Sequence, residues 1–209
     1  MSEIEYFYSA HSAYAYLGSA LFLEIARKTG RTIVHKPIDL NIVVPAAGAP
    51  GFAQKSDAYR SYYFGREIQR WSEERNAPVM GRPTYHHHDT TLSNCMLIAG
   101  VSGGVNIDKL SHALLEAHWR FDADLADVAT LERIANTAGY AGAALLDGAQ
   151  SPAALETYAN NSAEAVSRNV LGSPTYVIDG DVFYGQDRLE MVARAIEKPY
   201  STEWSGPQA

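Results

Sequence analysis

The length, composition and charge of the chain exclude several classes of protein. It has 209 residues, of which 46% are hydrophobic and 20% charged, and its formal net charge is −7. These values predict a globular protein with a full core, and they disfavour nucleic acid or an anionic membrane as a partner. No apolar run approaches the roughly 20 residues that span a membrane, and the acidic N-terminus predicts no secretory signal. We therefore expect a cytoplasmic protein whose single cysteine, Cys95, is a small core residue.

The N-terminal stretch predicts a strand that leads directly into a helix. Residues 4–8 alternate in the manner of a strand, and apolar residues recur at helical spacing from Ser12 until Gly30. Ser9 therefore precedes a helix N-terminus, where backbone N–H groups and the helix dipole stabilise an anion. Thioredoxin-like redox proteins carry Cys-x-x-Cys at this position. Here hydroxyls replace both sulfurs, which excludes a dithiol oxidoreductase, and a thiolate would have to come from another molecule.

The next part of the chain predicts one more strand and then mostly helices. Residues 31–38 are predicted to form a strand, and Pro37 indicates that this strand lies at a sheet edge or ends there. Residues 45–51 are too rich in Gly and Pro for a regular element. Helical patterns then follow over 57–76, 90–101, 107–119, 127–138, 141–148 and 151–169.

The C-terminal part returns to strands. Asp179-Gly180 predicts a hairpin turn between strands at 175–178 and 181–184. A helix is expected from Asp187, which opens a capping-box pattern.

The order β-α-β, helical insert, β-β-α predicts an α/β protein with a thioredoxin-like fold and a large all-helical insertion. We expect a discontinuous thioredoxin-like domain formed by residues 1–45 plus 170–200. A helical insertion domain, 46–169, should cover the end of the sheet where Ser9 lies, and residues 201–209 should form a C-terminal tail.

Several residues are candidates for chemistry on position alone. Ser9 is the first, and His11 beside it is either a base or a group that tunes the helix end. In a thioredoxin-like fold, Ser173-Pro174 falls where a cis-proline loop faces the active-site helix. The consecutive histidines at 86–88 do not converge on one ion, so we expect no metal. The aromatic and arginine-rich segment 59–71 is a candidate binding site for an aromatic carboxylate.

Three stretches carry a resemblance to a known family. They are residues 9–17, the helix pattern Tyr63-x3-Glu67-x2-Arg70-Trp71, and residues 161–189 with their Gly-x-Asp-Arg-Leu ending. Together they resemble the 2-hydroxychromene-2-carboxylate isomerases, which are related to kappa-class glutathione transferases and have a DsbA-like thioredoxin fold. The resemblance covers nearly the whole chain. Two departures are Ala10, in place of the usual proline, and His11, in place of an aromatic residue.

The resemblance implies a role for individual residues. Ser9 would be the catalytic residue, hydrogen-bonded to the sulfur of glutathione. The residues implied for binding glutathione are Ser173 and Pro174 at its cysteinyl backbone, Gln186 and Asp187 at its γ-glutamyl end, and Arg60 at a carboxylate. Gln186 and Asp187 also suit an α-amino group by their chemistry. The candidate substrate contacts are Tyr63, Trp71 and His11.

The function implied is that of a glutathione-dependent isomerase in aromatic-compound degradation. It would interconvert compounds like 2-hydroxychromene-2-carboxylate and compounds like trans-o-hydroxybenzylidenepyruvate by reversible thiolate addition. Its partners would be glutathione, a small aromatic carboxylate and a second copy in a homodimer. Two alternatives stay open: a kappa-class-like glutathione transferase or peroxidase, and a redox-inactive binding protein with a thioredoxin fold.

Overall fold

A computed structural model describes residues 3–51 and 54–201, and a four-stranded mixed sheet lies at its centre. The strands are β1 (Glu3–Tyr8), β2 (Thr32–Pro37), β3 (Thr175–Ile178) and β4 (Asp181–Tyr184), in the order β2-β1-β3-β4. β1 is parallel to β2 and antiparallel to β3, and β4 completes an antiparallel hairpin with β3. The second strand lies at the sheet edge and also ends at Pro37, so both alternatives predicted for it hold, and the predicted hairpin is confirmed.

The first helix, α1 (Ala13–Thr29), has the ends that its sequence predicts. Ser12 is the N-cap, and its hydroxyl accepts a hydrogen bond from the backbone N–H of Ala15 at 3.3 Å. Gly30 ends the helix in a left-handed conformation with φ of 65°, which glycine adopts without steric cost. The Ser12 cap fixes where α1 starts, and therefore where Ser9 lies, and Gly30 fixes where the helix ends.

Between β2 and β3 the described chain is helical. It contains α2 (Leu40–Ala46), a π-helical turn (Tyr59–Tyr63) that continues into α3 (Phe64–Glu74), α4 (Thr91–Ser102), α5 (Asp108–Phe121), α6 (Val128–Thr137), α7 (Gly142–Ala149) and α8 (Pro152–Ser167). The six predicted helical segments are confirmed to within two residues at each end. The short helix α2 was not predicted. It forms because the Asp39 side chain accepts the N–H of Asn41 at 2.8 Å and caps it.

The two faces of the sheet pack against different helices. Tyr6 and Tyr8 point to one face, where they share a core with Leu17 of α1, Met96 of α4 and Leu114 of α5. Residues of the insert and of the sheet thus share one apolar core. The division at residue 46 and residue 169 stays a prediction.

The opposite face of the sheet carries a smaller core and an ion-pair network. Phe7 packs there with residues of α2 and α8. Glu5, on the same face, contacts Lys36 at 2.8 Å and Arg168 at 2.6 Å, and both cations also contact Glu164 of α8. These contacts, led by the hydrogen bond from Arg168, lower the pKa of Glu5 from 4.5 to about 2.

The last helix, α9 (Leu189–Glu197), starts differently from the prediction. The capping box at Asp187 is wrong, because residues Gln186–Arg188 form a 3-10 turn and no side chain caps either that turn or α9. The Asp187 carboxylate is consequently not used as a cap. Over the residues described, no helix combines the length and apolar character needed to cross a membrane.

Cys95 lies in α4, where its side chain is fully buried. Burial raises the pKa of its thiol to about 11, so the thiol stays protonated and unreactive. The expectation of a core cysteine is confirmed.

Candidate functional site

Ser9 lies at the point where β1 ends and the turn into α1 begins. It is 1% exposed, and its backbone N–H donates to the Ser173 hydroxyl at 3.1 Å. The Ser12 hydroxyl in turn donates to the Ser173 carbonyl at 3.2 Å. The Ser173–Pro174 peptide bond is cis. The structure therefore brings the predicted catalytic serine and the predicted proline loop into direct contact.

Asn94, from α4 of the insert, holds Ser9 from the other side. Its Oδ1 accepts the backbone N–H of Ala10 at 3.0 Å, and its Nδ2 donates to the Thr90 carbonyl at 2.9 Å. Both backbone partners have fixed roles, so the amide orientation is unambiguous. The same Nδ2 donates to Ser9 Oγ at 3.3 Å. Asn94 is fully buried, and it joins the insert to the turn that carries Ser9.

His11 is the second partner of the Ser9 hydroxyl. Its Nδ1 lies 2.9 Å from Ser9 Oγ, while the Trp119 indole donates to the His11 carbonyl at 2.8 Å and fixes the backbone. Burial lowers the pKa of His11 from 6.5 to about 4. His11 is therefore a neutral imidazole at physiological pH.

Two more histidines continue from His11 into the insert. The His86 ring centroid lies 5.3 Å from that of His11, and His86 Nδ1 lies 3.1 Å from His118 Nε2. His118 Nδ1 faces the Ala123 carbonyl at 3.0 Å. Burial lowers the pKa of His86 to about 3 and lowers that of His118, so both rings are also neutral. In the described part of the chain, no three His, Cys, Asp or Glu side chains form a group suited to a metal ion.

A cavity of about 530 Å³ opens beside Ser9. His11, Ser12 and Ser173 form its inner wall, and Ser9 itself lies behind them. The outer walls come from the aromatic side chains of Tyr14, Tyr59, Phe64 and Tyr184, the Gly- and Pro-rich segment 45–51, and Lys55 and His86. The cavity is large enough for a small organic molecule.

A smaller annex of about 270 Å³ adjoins this cavity and shares Tyr14, Ser173 and Tyr184 with it. Its other lining residues include Gln186, Asp187, Tyr63 and Trp71. The structure therefore separates the predicted substrate contacts. His11 lines the main cavity, whereas Tyr63 and Trp71 lie in the annex with Gln186 and Asp187.

Among the residues described, the Gln186 side chain is hydrogen-bonded through its oxygen and not through its nitrogen. Arg75 Nε donates to Gln186 Oε1 at 2.9 Å, and Arg75 also donates to the Gln186 carbonyl at 3.2 Å. Gln186 is 1% exposed, and its Nε2 has no hydrogen-bond partner among the residues described. A buried donor without a partner is costly in a folded protein and marks a position where a ligand acceptor would be stabilised.

Arg60 lies apart from both spaces. Its guanidinium donates to the Lys55 carbonyl at 2.6 Å and pairs with Asp57, and Arg60 is not among the residues that line the cavity or the annex. Lys55 is the cation that lines the cavity instead.

Sequence reasoning did not single out Asn94, Arg75 or Lys55, and it considered His86 only as a metal ligand. One signal was available, because Asn94 is a polar residue inside the apolar run 92–99. A polar side chain at a core position requires a buried partner.

The fold defines the class of protein. The chain matches the model of the DSBA-like thioredoxin domain over residues 3–197, and it belongs to that family. In place of the family's redox cysteines it has Ser9 and Ser12.

Within this class, the chain is similar in sequence to proteins named 2-hydroxychromene-2-carboxylate isomerase. The chain is 25% identical to the 2-hydroxychromene-2-carboxylate isomerase of Sphingobium xenophagum over 90% of this chain and 95% of that one. It is 26% identical to the enzyme of the same name from Pseudomonas sp. (strain C18), with 92% and 89% coverage. The resemblance stated from the sequence is thus confirmed.

Solved structures show the same fold. A 2-hydroxychromene-2-carboxylate isomerase superposes with a TM-score of 0.80 at 22% identity, covering 93% of this chain and 94% of that one. The cytosolic disulfide reductase DsbM from Pseudomonas aeruginosa, solved with GSH, gives a TM-score of 0.65 at 13% identity, with 94% and 93% coverage.

Proposed function

We propose that this protein is a glutathione-dependent isomerase of the 2-hydroxychromene-2-carboxylate isomerase type, acting in the breakdown of aromatic compounds. The observation that carries the proposal is the serine turn itself. Ser9 is fixed at the N-terminal end of α1, in contact with the cis-proline loop and beside a cavity, and there is no cysteine at either redox position. A hydroxyl there can stabilise a thiolate from another molecule.

The annex has groups that fit the γ-glutamyl end of glutathione. That end presents a carboxylate and an ammonium group. The unpartnered Gln186 Nε2 is a donor suited to the carboxylate, and the Asp187 carboxylate, which caps no helix, is suited to the ammonium group. Ser173 lines both the annex and the cavity, so a tripeptide held in the annex would extend towards Ser9.

The cavity has groups that fit an aromatic carboxylate. Tyr14, Tyr59 and Phe64 supply apolar ring surface, and the Lys55 ammonium supplies a positive charge on the same wall. Lys55 Nζ lies 5.1 Å from the centre of the Tyr59 ring, so the charge and the ring surface are adjacent. This arrangement suits a flat ring that bears a carboxylate side chain.

The protein's part in the reaction is to hold the reactive groups and to stabilise charge. When bound, glutathione supplies a thiolate that adds reversibly to the conjugated carbon of the substrate, so that the former double bond can rotate. Ser9 Oγ and the N-terminal end of α1 stabilise negative charge on the sulfur. Ser173 positions the turn, and the aromatic wall keeps water away from the reacting carbon.

The test is isomerisation of 2-hydroxychromene-2-carboxylate with and without glutathione. We expect turnover only with glutathione, and we expect Ser9→Ala to lower the rate at least tenfold, or about 1.4 kcal/mol of transition-state stabilisation. Ser111→Ala is the matched control, because Ser111 is also buried but bonds to the Asp108 carbonyl away from the cavity. Normal turnover by Ser9→Ala, or turnover without glutathione, would contradict the proposal.

The same assays separate the alternatives. A transferase or peroxidase would use the same thiolate but would yield a conjugate with a standard electrophile, or would reduce a hydroperoxide. A binding protein without activity would show none of these reactions and no shift of its melting temperature with glutathione.

A further inference from the structure

The hydrogen bonds around Ser9 fix the direction of its hydroxyl proton. Asn94 Nδ2 can only donate to Ser9 Oγ. If His11 Nδ1 also donated, the hydroxyl proton of Ser9 would have no acceptor among the residues described, because Asn94 and His11 are the side chains in contact with that oxygen. Ser9 therefore donates to His11 Nδ1, and His11 carries its own proton on Nε2.

The histidine chain fixes a second tautomer in the same way. The Ala123 carbonyl can only accept, so His118 Nδ1 carries a proton and His118 Nε2 is the acceptor. His86 Nδ1 must then be the donor in its hydrogen bond to His118. In the neutral His86 ring the other nitrogen, Nε2, is consequently an acceptor, and His86 lines the same cavity as His11.

From this arrangement we infer that His11 is the base that removes the proton of the bound thiol, with Ser9 Oγ as the relay and Asn94 as the group that orients the relay. The inference rests on the proposed function. In this step Ser9 gives its hydroxyl proton to His11 Nδ1 and takes the thiol proton in exchange. The sulfur keeps the electron pair of the broken S–H bond, and the re-formed Ser9 O–H donates to it.

The same arrangement allows a proton to leave His11 from its other ring nitrogen. Once His11 holds protons on both nitrogens, its Nε2 proton can leave to solvent in the cavity or to the acceptor nitrogen of His86. The titratable groups that act on His11 are His86 beside it, His87 in the same turn and His118 on α5. Loss of the Nε2 proton leaves a neutral His11 ring whose remaining proton, on Nδ1, donates to Ser9 Oγ and so keeps the Ser9 hydroxyl directed at the sulfur.

His11→Asn tests this step, because asparagine can still hydrogen-bond to Ser9 but does not titrate. The first measurement is the ultraviolet absorbance of the bound glutathione thiolate as a function of pH. We expect the apparent pKa of the bound thiol to rise by at least about one unit in His11→Asn, so that the variant needs a pH about one unit higher to reach the same thiolate fraction. His11→Phe should behave in the same way. His88→Asn is the control, because His88 is half-exposed and pairs with Asp124.

The second measurement is calorimetric binding of glutathione, and of its analogue with serine in place of cysteine, in buffers of different ionisation enthalpy. The wild type should release protons on binding glutathione, and His11→Asn should release fewer. The serine analogue should bind both forms equally. An unchanged thiol pKa and unchanged proton release in His11→Asn would overturn the role of His11 alone. Failure of the wild type to bind either ligand would instead overturn the proposed function.

Discussion

Asn94 is the residue whose replacement tests most directly how the insert supports the turn that carries Ser9. We consider Asn94→Leu, which keeps the side-chain size but removes both polar atoms. The backbone N–H of Ala10, now bonded to Asn94 Oδ1 at 3.0 Å, would be left buried without a partner. Ser9 Oγ and the Tyr158 hydroxyl would each lose the Asn94 amide as a hydrogen-bond donor, since both lie 3.3 Å from it.

The expected cost follows from these lost contacts. An unsatisfied buried donor costs about 1–3 kcal/mol, so we expect the free energy of unfolding to fall by about 2 kcal/mol. For a domain of this size, that change lowers the melting temperature by about 4–8 °C. Denaturant unfolding monitored by circular dichroism, together with a thermal melt, measures both quantities.

A matched control separates the effect of losing the Asn94 hydrogen bonds from the effect of replacing asparagine by leucine. Asn160→Leu places the same change on the exposed face of α8, where we expect an effect within about 0.5 kcal/mol. If Asn94→Leu is as stable as Asn160→Leu, the reasoning about the Ala10 N–H is refuted.

Activity measurements add a second arm to this experiment. Because Asn94 acts through Ser9, Asn94→Leu should lower the isomerase rate in the wild type but have little further effect in Ser9→Ala. Equal effects in both backgrounds would place the influence of Asn94 elsewhere.

Two further predictions concern stability. Glu5 has a lower pKa in the folded chain, about 2 against 4.5, so its contribution is complete above pH 4.5 and is lost as the pH falls towards 2. Partial exposure limits the loss to about 1–2 kcal/mol, and Glu5→Gln should show a correspondingly weaker acid dependence of unfolding. Gly18→Ala would place a Cβ 2.6 Å from the Cβ of Gln186, so we expect about 1–3 kcal/mol of destabilisation and weaker glutathione binding. Gly65→Ala, in an open part of α3, should be neutral or slightly stabilising by the same melts.

The parts of the fold that local chemistry determines were predictable from the sequence. Ser12 and Gly30 cap α1 with groups that lie next to it in the chain, and Asp179-Gly180 supplies the left-handed turn that the β3–β4 hairpin needs, with φ of 50° and 90°. Such signals need no knowledge of the packing. The capping-box prediction at Asp187 was wrong because the sequence pattern cannot show that residues Gln186–Arg188 form a 3-10 turn. Asp187 lies inside this turn and not at the N-cap of a helix.

The parts of the site that depend on packing were not predictable. Asn94 meets Ser9 across 85 residues, and Arg75 meets Gln186 across 111. Neither pairing leaves a local pattern, because both arise when the helical insert packs against the sheet. Tyr63 and Trp71 were identified on a helix pattern, but only the fold shows that they lie beside Gln186 in the annex.

The burial of Cys95 determines how the protein responds to oxidative stress. Its thiol is the sole sulfhydryl in the chain, and it is sealed in the core with a pKa of about 11. The polypeptide thus offers oxidants no accessible thiolate, and it cannot be trapped as a mixed disulfide with the tripeptide on which we propose it depends. Oxidants would stop turnover by such an enzyme by oxidising free glutathione. Restoring reduced glutathione would restore turnover without any repair of the protein.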